Sequence, residues 1–219
     1  MPVVLLVRHG QASFGADDYD VLSDLGREQS RVVGEELRRR ALRDPLLVTG
    51  SLRRQRDTAA LALPGVQARV DERWDEYDHL ELLKRYVRAP DPTSTASDPP
   101  TSSREVQGLL DAALLAWVEH GGSPDRPDSW PAFASGASDA LRELVEQLGR
   151  GRDAVVVTSG GVIAAVCTAL VSGGAETVVA LNRTAVNGAI TKLVAGSRGV
   201  SLSSYNEHAH LPPDQVTYR

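Results

Sequence analysis

Apolar residues follow two rhythms along this chain, and their alternation predicts the architecture. Val3-Val4-Leu5-Leu6-Val7 is a continuous, largely β-branched run, the pattern of a strand covered on both faces inside a parallel sheet. After a polar loop, Leu25, Val32, Val33 and Leu37 recur at helical spacing behind Ser23, which can cap a helix. The same succession returns twice. Leu46-Leu47-Val48 reads as a strand ahead of a helix from Arg53 to Leu63, closed by the turn Pro64-Gly65. Ala154 to Val157 reads as a strand ahead of the loop Thr158 to Gly161 and a helix from Val162 to Leu170. Three such units predict an α/β fold with a parallel or mostly parallel sheet and helices on both faces.

Two further helical stripes are apolar on one side only: Val106, Leu109, Leu110, Ala113, Leu114 and Trp117, then Leu141, Leu144, Val145 and Leu148, stopped by Gly149. Both read as core faces. Ile190 to Val194 and Val200 to Ser204 read as late strands, Asn182 and Arg183 as loop residues before them. Pro90 to Ser103 has no apolar period and is rich in Pro, Ser, Thr and Asp, so it is expected to be a solvated linker, with a lid over a ligand as the alternative. Ala154 to Ala175 is apolar enough to suggest a membrane span, but Thr158-Ser159-Gly160-Gly161 divides it into a strand and a helix.

Composition narrows the functions. With 219 residues, 42% of them hydrophobic and 24% charged, the chain can bury the core of one ordinary domain. A net charge of −5 argues against a nucleic-acid or anionic-membrane surface, both of which need a wide basic face. Any anion site is therefore local. The single cysteine, Cys167, lies in an apolar helical run and reads as a small buried hydrophobe. With no leader pattern after Met1, the expected setting is reducing and cytoplasmic.

The chemistry gathers where strands open into loops. Arg8-His9-Gly10 leaves the first strand at the place where open α/β sheets bind ligands. An imidazole can attack phosphorus in line, and a neighbouring guanidinium offers fixed donors to phosphoryl oxygens. At the end of the second strand, Ser51-Leu52-Arg53-Arg54-Gln55-Arg56 brings three arginines to a helix N-terminus, a combination that favours phosphate.

Arg8-His9-Gly10 resembles the signature of the histidine phosphatase, or phosphoglycerate-mutase-like, superfamily, and Leu52-x-Arg54-x-x-x-Thr58-Ala59 resembles its second phosphate-binding motif. Leu22-Ser23-x-Leu25-Gly26-x-x-Gln29 is similar to the start of its first helix, and Val186-Asn187-Gly188-Ala189-Ile190-Thr191 to its late turn and strand. The resemblance implies a three-layer α/β sandwich over residues 1–219, with about 80–130 inserted as a helical cap. It implies His9 as the phosphate-accepting nucleophile and Glu76 as the general acid, with Glu72, Asp75 and Asp78 as rivals. Arg8, Arg54, Ser159 and Gly160 would bind the phosphate, with no metal and no cofactor.

One position departs from the family pattern. Ser159 stands where the family has a second histidine, and a serine offers a neutral hydrogen bond but no positive charge. The backbone N–H groups of Gly160 and Gly161, or the side chain of His79, His208 or His210, are the candidates for making up the loss. The implied function is hydrolysis of a small phosphomonoester through a phosphohistidine. A weakened phospho-ligand-binding or regulatory protein is the alternative, and mutase activity ranks lowest because Glu76 to Leu80 does not resemble the mutase segment.

Overall fold

The computed structural model describes residues 1–13, 20–86, 103–149 and 151–218. Strand β1 (Val3–Arg8) leads to helix α1 (Asp24–Arg39), β2 (Leu46–Thr49), α2 (Arg53–Ala62), a two-residue β3 (Arg69–Val70) and a 3-10 turn, Glu72–Trp74. Helices α3 (His79–Tyr86), α4 (Ser103–His120) and α5 (Trp130–Leu148) follow, then β4 (Ala154–Thr158), α6 (Gly160–Leu170), α7 (Ala175–Thr184), β5 (Ile190–Gly196) and β6 (Gly199–Glu207). The expected linker falls, up to residue 102, outside the described residues, and Ser103 already opens α4.

The strands form one sheet in the order β3-β2-β4-β1-β5-β6. From β3 to β1 all pairings are parallel, whereas β5 runs antiparallel to β1 and β6 antiparallel to β5. The fold is therefore α/β with a mostly parallel sheet, as expected, carrying an antiparallel edge. The edge has a simple cause. Two helices, α6 and α7, separate β4 from β5, so the chain re-enters the sheet from the end at which β4 left it. The sequence reading missed α7 and took Asn182 and Arg183 for loop residues; both lie in its last turns.

Each sheet face has its own core. Leu5, Val7, Val155 and Val157 pack against Val33 and Leu37 of α1 and Ala59 and Ala62 of α2. On the other face Val4, Leu6 and Val156 meet Trp74, Leu141 and Leu144 of α5, and Val162 and Val166 of α6. Full burial of both faces of β1 and β4 explains why their sequences are unbroken apolar runs. Cys167 belongs to this second core, and burial pushes its thiol up to about 12, as a structural cysteine requires. Among the described residues no helix is long and apolar enough to cross a membrane.

Candidate active site

The ends of β1, β2 and β4 converge, and register fixes how. Arg8 pairs with Thr158, and the His9 N–H donates to the Thr158 carbonyl at 2.9 Å, so Ser159 lies alongside His9 at the next step. The loop after His9 is pressed onto α1: a Cβ at Gly10 would stand 2.3 Å from the Gly26 carbonyl oxygen, and one at Gly26 2.1 Å from that of Gln11. Only glycine allows the two backbones this approach. The α1 cap is the expected one, with Ser23 Oγ accepting from the Gly26 N–H at 3.0 Å.

His9 is 5% exposed, and its two ring nitrogens have different surroundings. Nδ1 lies 2.7 Å from the Gly10 carbonyl oxygen, which can only accept, so Nδ1 carries the proton. Nε2 then presents its lone pair, and Arg54 Nε donates to it at 3.1 Å. Burial, followed by the charges of Arg54 and Arg8, holds the imidazole well below the usual histidine range despite the Gly10 contact. The lowered pKa favours the neutral ring, whose Nε2 electron pair accepts from the guanidinium.

Arg54 is held at both ends. Its Nη1 donates to Asp20 Oδ1 at 2.7 Å, while Asp20 Oδ2 accepts from the Arg53 backbone N–H at 2.7 Å. Asp20 thus caps α2 and orients the guanidinium that faces His9. Sequence reading did not single it out, because nothing local ties a loop aspartate to a helix more than thirty residues away. Arg8 turns toward the late chain, donating to the carbonyl oxygens of Ala185 and, at 3.0 Å, Tyr218. Gly160 lies beside it, with a Cβ position 3.5 Å from Arg8 Nε.

Glu76 enters from the segment after the 3-10 turn. Its Oε2 accepts from the Gly161 N–H at 3.1 Å, at the start of α6, and burial raises its carboxyl against the opposing pull of that N–H and of Arg54 and Arg8. The rivals are otherwise engaged. Asp75 accepts from both the N–H and the hydroxyl of Ser51 at 2.5 Å, Asp78 accepts from Leu80 and Glu81 at the start of α3, and Glu72 is exposed. Tyr77 stacks among Trp117 and Phe133 and accepts on its hydroxyl from Asn182 Nδ2 at 3.2 Å, so α7 supports the segment that carries Glu76.

Ser159 is fully buried at the N-cap position of α6, yet its side chain caps no helical N–H. Gln55 Nε2, also fully buried, donates to its Oγ at 2.8 Å. The proposed substitutes for a second histidine divide clearly. The Gly161 N–H is taken by Glu76, His208 Nδ1 lies against the Asn206 carbonyl, and His210 Nε2 against that of Gly188. Like His9, His79 feels the charge of Arg54; burial lowers its pKa first, with Arg54 adding to the effect and Asp78 opposing it.

Solved structures share this arrangement of sheet and helices. A phosphoserine phosphatase mutant from Entamoeba histolytica in complex with phosphoserine superposes with a TM-score of 0.69 at 17% identity, over 97% of this chain and 100% of its own. A mycobacterial glucosyl-3-phosphoglycerate phosphatase with bound VO3 gives 0.67 at 25% identity, over 95% and 100%. The same mycobacterial enzyme with inorganic phosphate gives 0.66 at 25% identity, over 97% and 100%. No curated protein matches by sequence. Residues 4–95, which contain His9, Arg54 and Glu76, match the family model of the histidine phosphatase superfamily (branch 1). The resemblance drawn from the motifs is thereby borne out: residues 4–95 match the superfamily's model, and the whole chain shares its fold with these solved phosphatases.

Proposed function

We propose that this protein is a phosphomonoesterase working through a phosphohistidine on His9, with the described residues between about 80 and 130 belonging to an inserted cap region. The observation that carries the reading is the fixed tautomer of His9: Nδ1 is tied to Gly10, and Nε2 presents its lone pair beside Arg54. In the first step a N–P bond forms at Nε2 as the ester P–O bond breaks, and Glu76, whose carboxyl burial pushes up, gives its proton to the departing oxygen. In the second, water attacks phosphorus, the N–P bond breaks, and the Glu76 carboxylate takes the water's proton. Arg8, Arg54, the hydroxyl of Ser159 and the first-turn N–H of Gly160 supply donors to the phosphoryl oxygens. Binding of phosphate and VO3 by the mycobacterial structural relative supports a phosphate site here.

The test is hydrolysis of p-nitrophenyl phosphate in EDTA by the wild type and by His9→Ala. Turnover that disappears in the variant, with an acid-labile phosphoenzyme in the wild type only, is the expected result. Equal turnover in the two proteins would sink the reading. A wild type that binds phosphate but hydrolyses no phosphomonoester would point instead to a phospho-ligand-binding protein.

A further inference from the structure

We propose that Gln55 and Ser159 act as a coupled pair that takes the place of a charged donor in the site, with Gln55 as the positioning residue that directs the Ser159 hydroxyl. The inference rests on the phosphatase reading above. Its basis is the direction of three hydrogen bonds. The carbonyl oxygen of Trp74 can only accept, so the Gln55 amide atom 3.0 Å away is the nitrogen, which fixes the orientation of the amide. The second hydrogen of that nitrogen then goes to Ser159 Oγ at 2.8 Å. Ser159 is therefore the acceptor in this contact, and its own proton is left for another acceptor.

That proton has no acceptor among the described residues, since Ser159 neither caps α6 nor donates to a neighbour in the wall. The place is set by the flanking residues. Thr158 holds the His9 N–H, Gly161 holds Glu76, and Ser159 sits between them, alongside the nucleophile in sheet register. A phosphoryl oxygen on His9 would supply the missing acceptor. Thr158 Oγ1 also donates to the Trp74 carbonyl, at 2.6 Å, so β4, α2 and the segment leading to Glu76 meet at one oxygen. Gln55 Oε1, buried and without a hydrogen-bond partner among the described residues, is a cost the site carries to keep the amide in this orientation.

The pair makes a prediction that a merely structural glutamine does not. Ser159→Ala should lower kcat by roughly 100-fold, the usual cost of losing one preorganised donor, with little change in KM. Gln55→Met keeps the volume but cannot donate, and should lower kcat by roughly tenfold, a fraction of that cost. In the Ser159→Ala background, Gln55→Met should cost almost nothing further, because the hydroxyl it directs is gone. The same cycle is run on orthovanadate affinity, which needs no turnover, and melting temperatures of all four proteins control for folding. Non-additive losses in kcat or in vanadate affinity support the pair. Equal losses from Gln55→Met in both backgrounds would overturn it, leaving Gln55 as a support for Trp74 alone. That outcome is distinct from failure of the phosphatase reading, which His9→Ala reports independently, and a wild type that neither turns over nor binds vanadate would reject both.

Discussion

Glu76 is the residue whose chemistry depends most on where it is put. Burial raises its carboxyl and the opposing contacts only partly restore it, so the acid form survives to higher pH than in a free glutamate. The pKa of His9, in contrast, is lowered, which extends to the acid side the neutral form that the proposed nucleophile needs. The rate is therefore expected to fall as pH rises through the Glu76 pKa, and Glu76→Gln should remove that limb from a kcat profile. The same substitution should slow an alkyl phosphate by roughly 100- to 10,000-fold and p-nitrophenyl phosphate far less, because nitrophenolate leaves without a proton. Equal losses on both substrates would argue against the acid role. His9, Arg8 and Arg54 were legible because each sits in a short motif where a strand gives way to a loop or helix, whereas Glu76 was named only through the family resemblance, with three acidic rivals. Asp20 and Gln55 were not, since their meaning lies in contacts that no spacing reveals. The buried Gln55 amide also bears on Ser159→His: the ring is larger than the hydroxyl it replaces and would have to displace the fully buried amide, so a gain is expected only with Gln55→Ala alongside.

At the scale of elements, α6 depends on a bare first turn. A Cβ at Gly161 would come within 2.3 Å of Glu76 Oε1 and of the Tyr77 ring, neither of which is free to retreat. Gly161→Ala should lower kcat while leaving the His9 side intact, checked by unchanged phosphate binding. β3, two exposed residues, left no signal, whereas β1, β2 and β4 were readable from apolar runs, because burial removes polar residues from them. The direction of β5 was not, since an alternating pattern reads the same in either sense and the deciding element, α7, has only a short buried side, Val178 and Val179. The lower end of the sheet is closed by Asp153, which accepts from the N–H groups of Val3 and Arg43 at 2.8 Å each and pairs with the Arg43 guanidinium at 2.7 Å. Burial pushes this carboxyl up, but the Arg43 contacts and the Val3 N–H outweigh it and leave it lowered. A lowered carboxyl stabilises the fold above its unfolded pKa and loses that contribution as pH falls through the folded value. Asp153→Asn should cost about 2 kcal/mol at neutral pH, given that Arg43 is half exposed, and the difference should vanish in acid; denaturant melts at the two pH values decide it.

Across the whole molecule, the last residues are part of the site wall. Gln29 Nε2 donates to the Gln215 carbonyl at 2.7 Å and to Thr217 Oγ1 at 2.9 Å, the Asn187 N–H donates to the Thr217 carbonyl at 2.8 Å, and Asn187 Nδ2 reaches the His9 carbonyl at 3.2 Å. Ending the chain after Asp214 should strand the buried Gln29 and Asn187, costing about 3 kcal/mol and most of the activity, read by melting and turnover together. The same geography bears on synthesis. β1, which precedes the other strands of the sheet in sequence, lies in its middle, and its two neighbours, β4 and β5, are translated roughly 150 and 190 residues later. Until then Val3-Val4-Leu5-Leu6-Val7 has both edges open and both faces bare, so the growing chain carries an adhesive segment and His9 without its pocket.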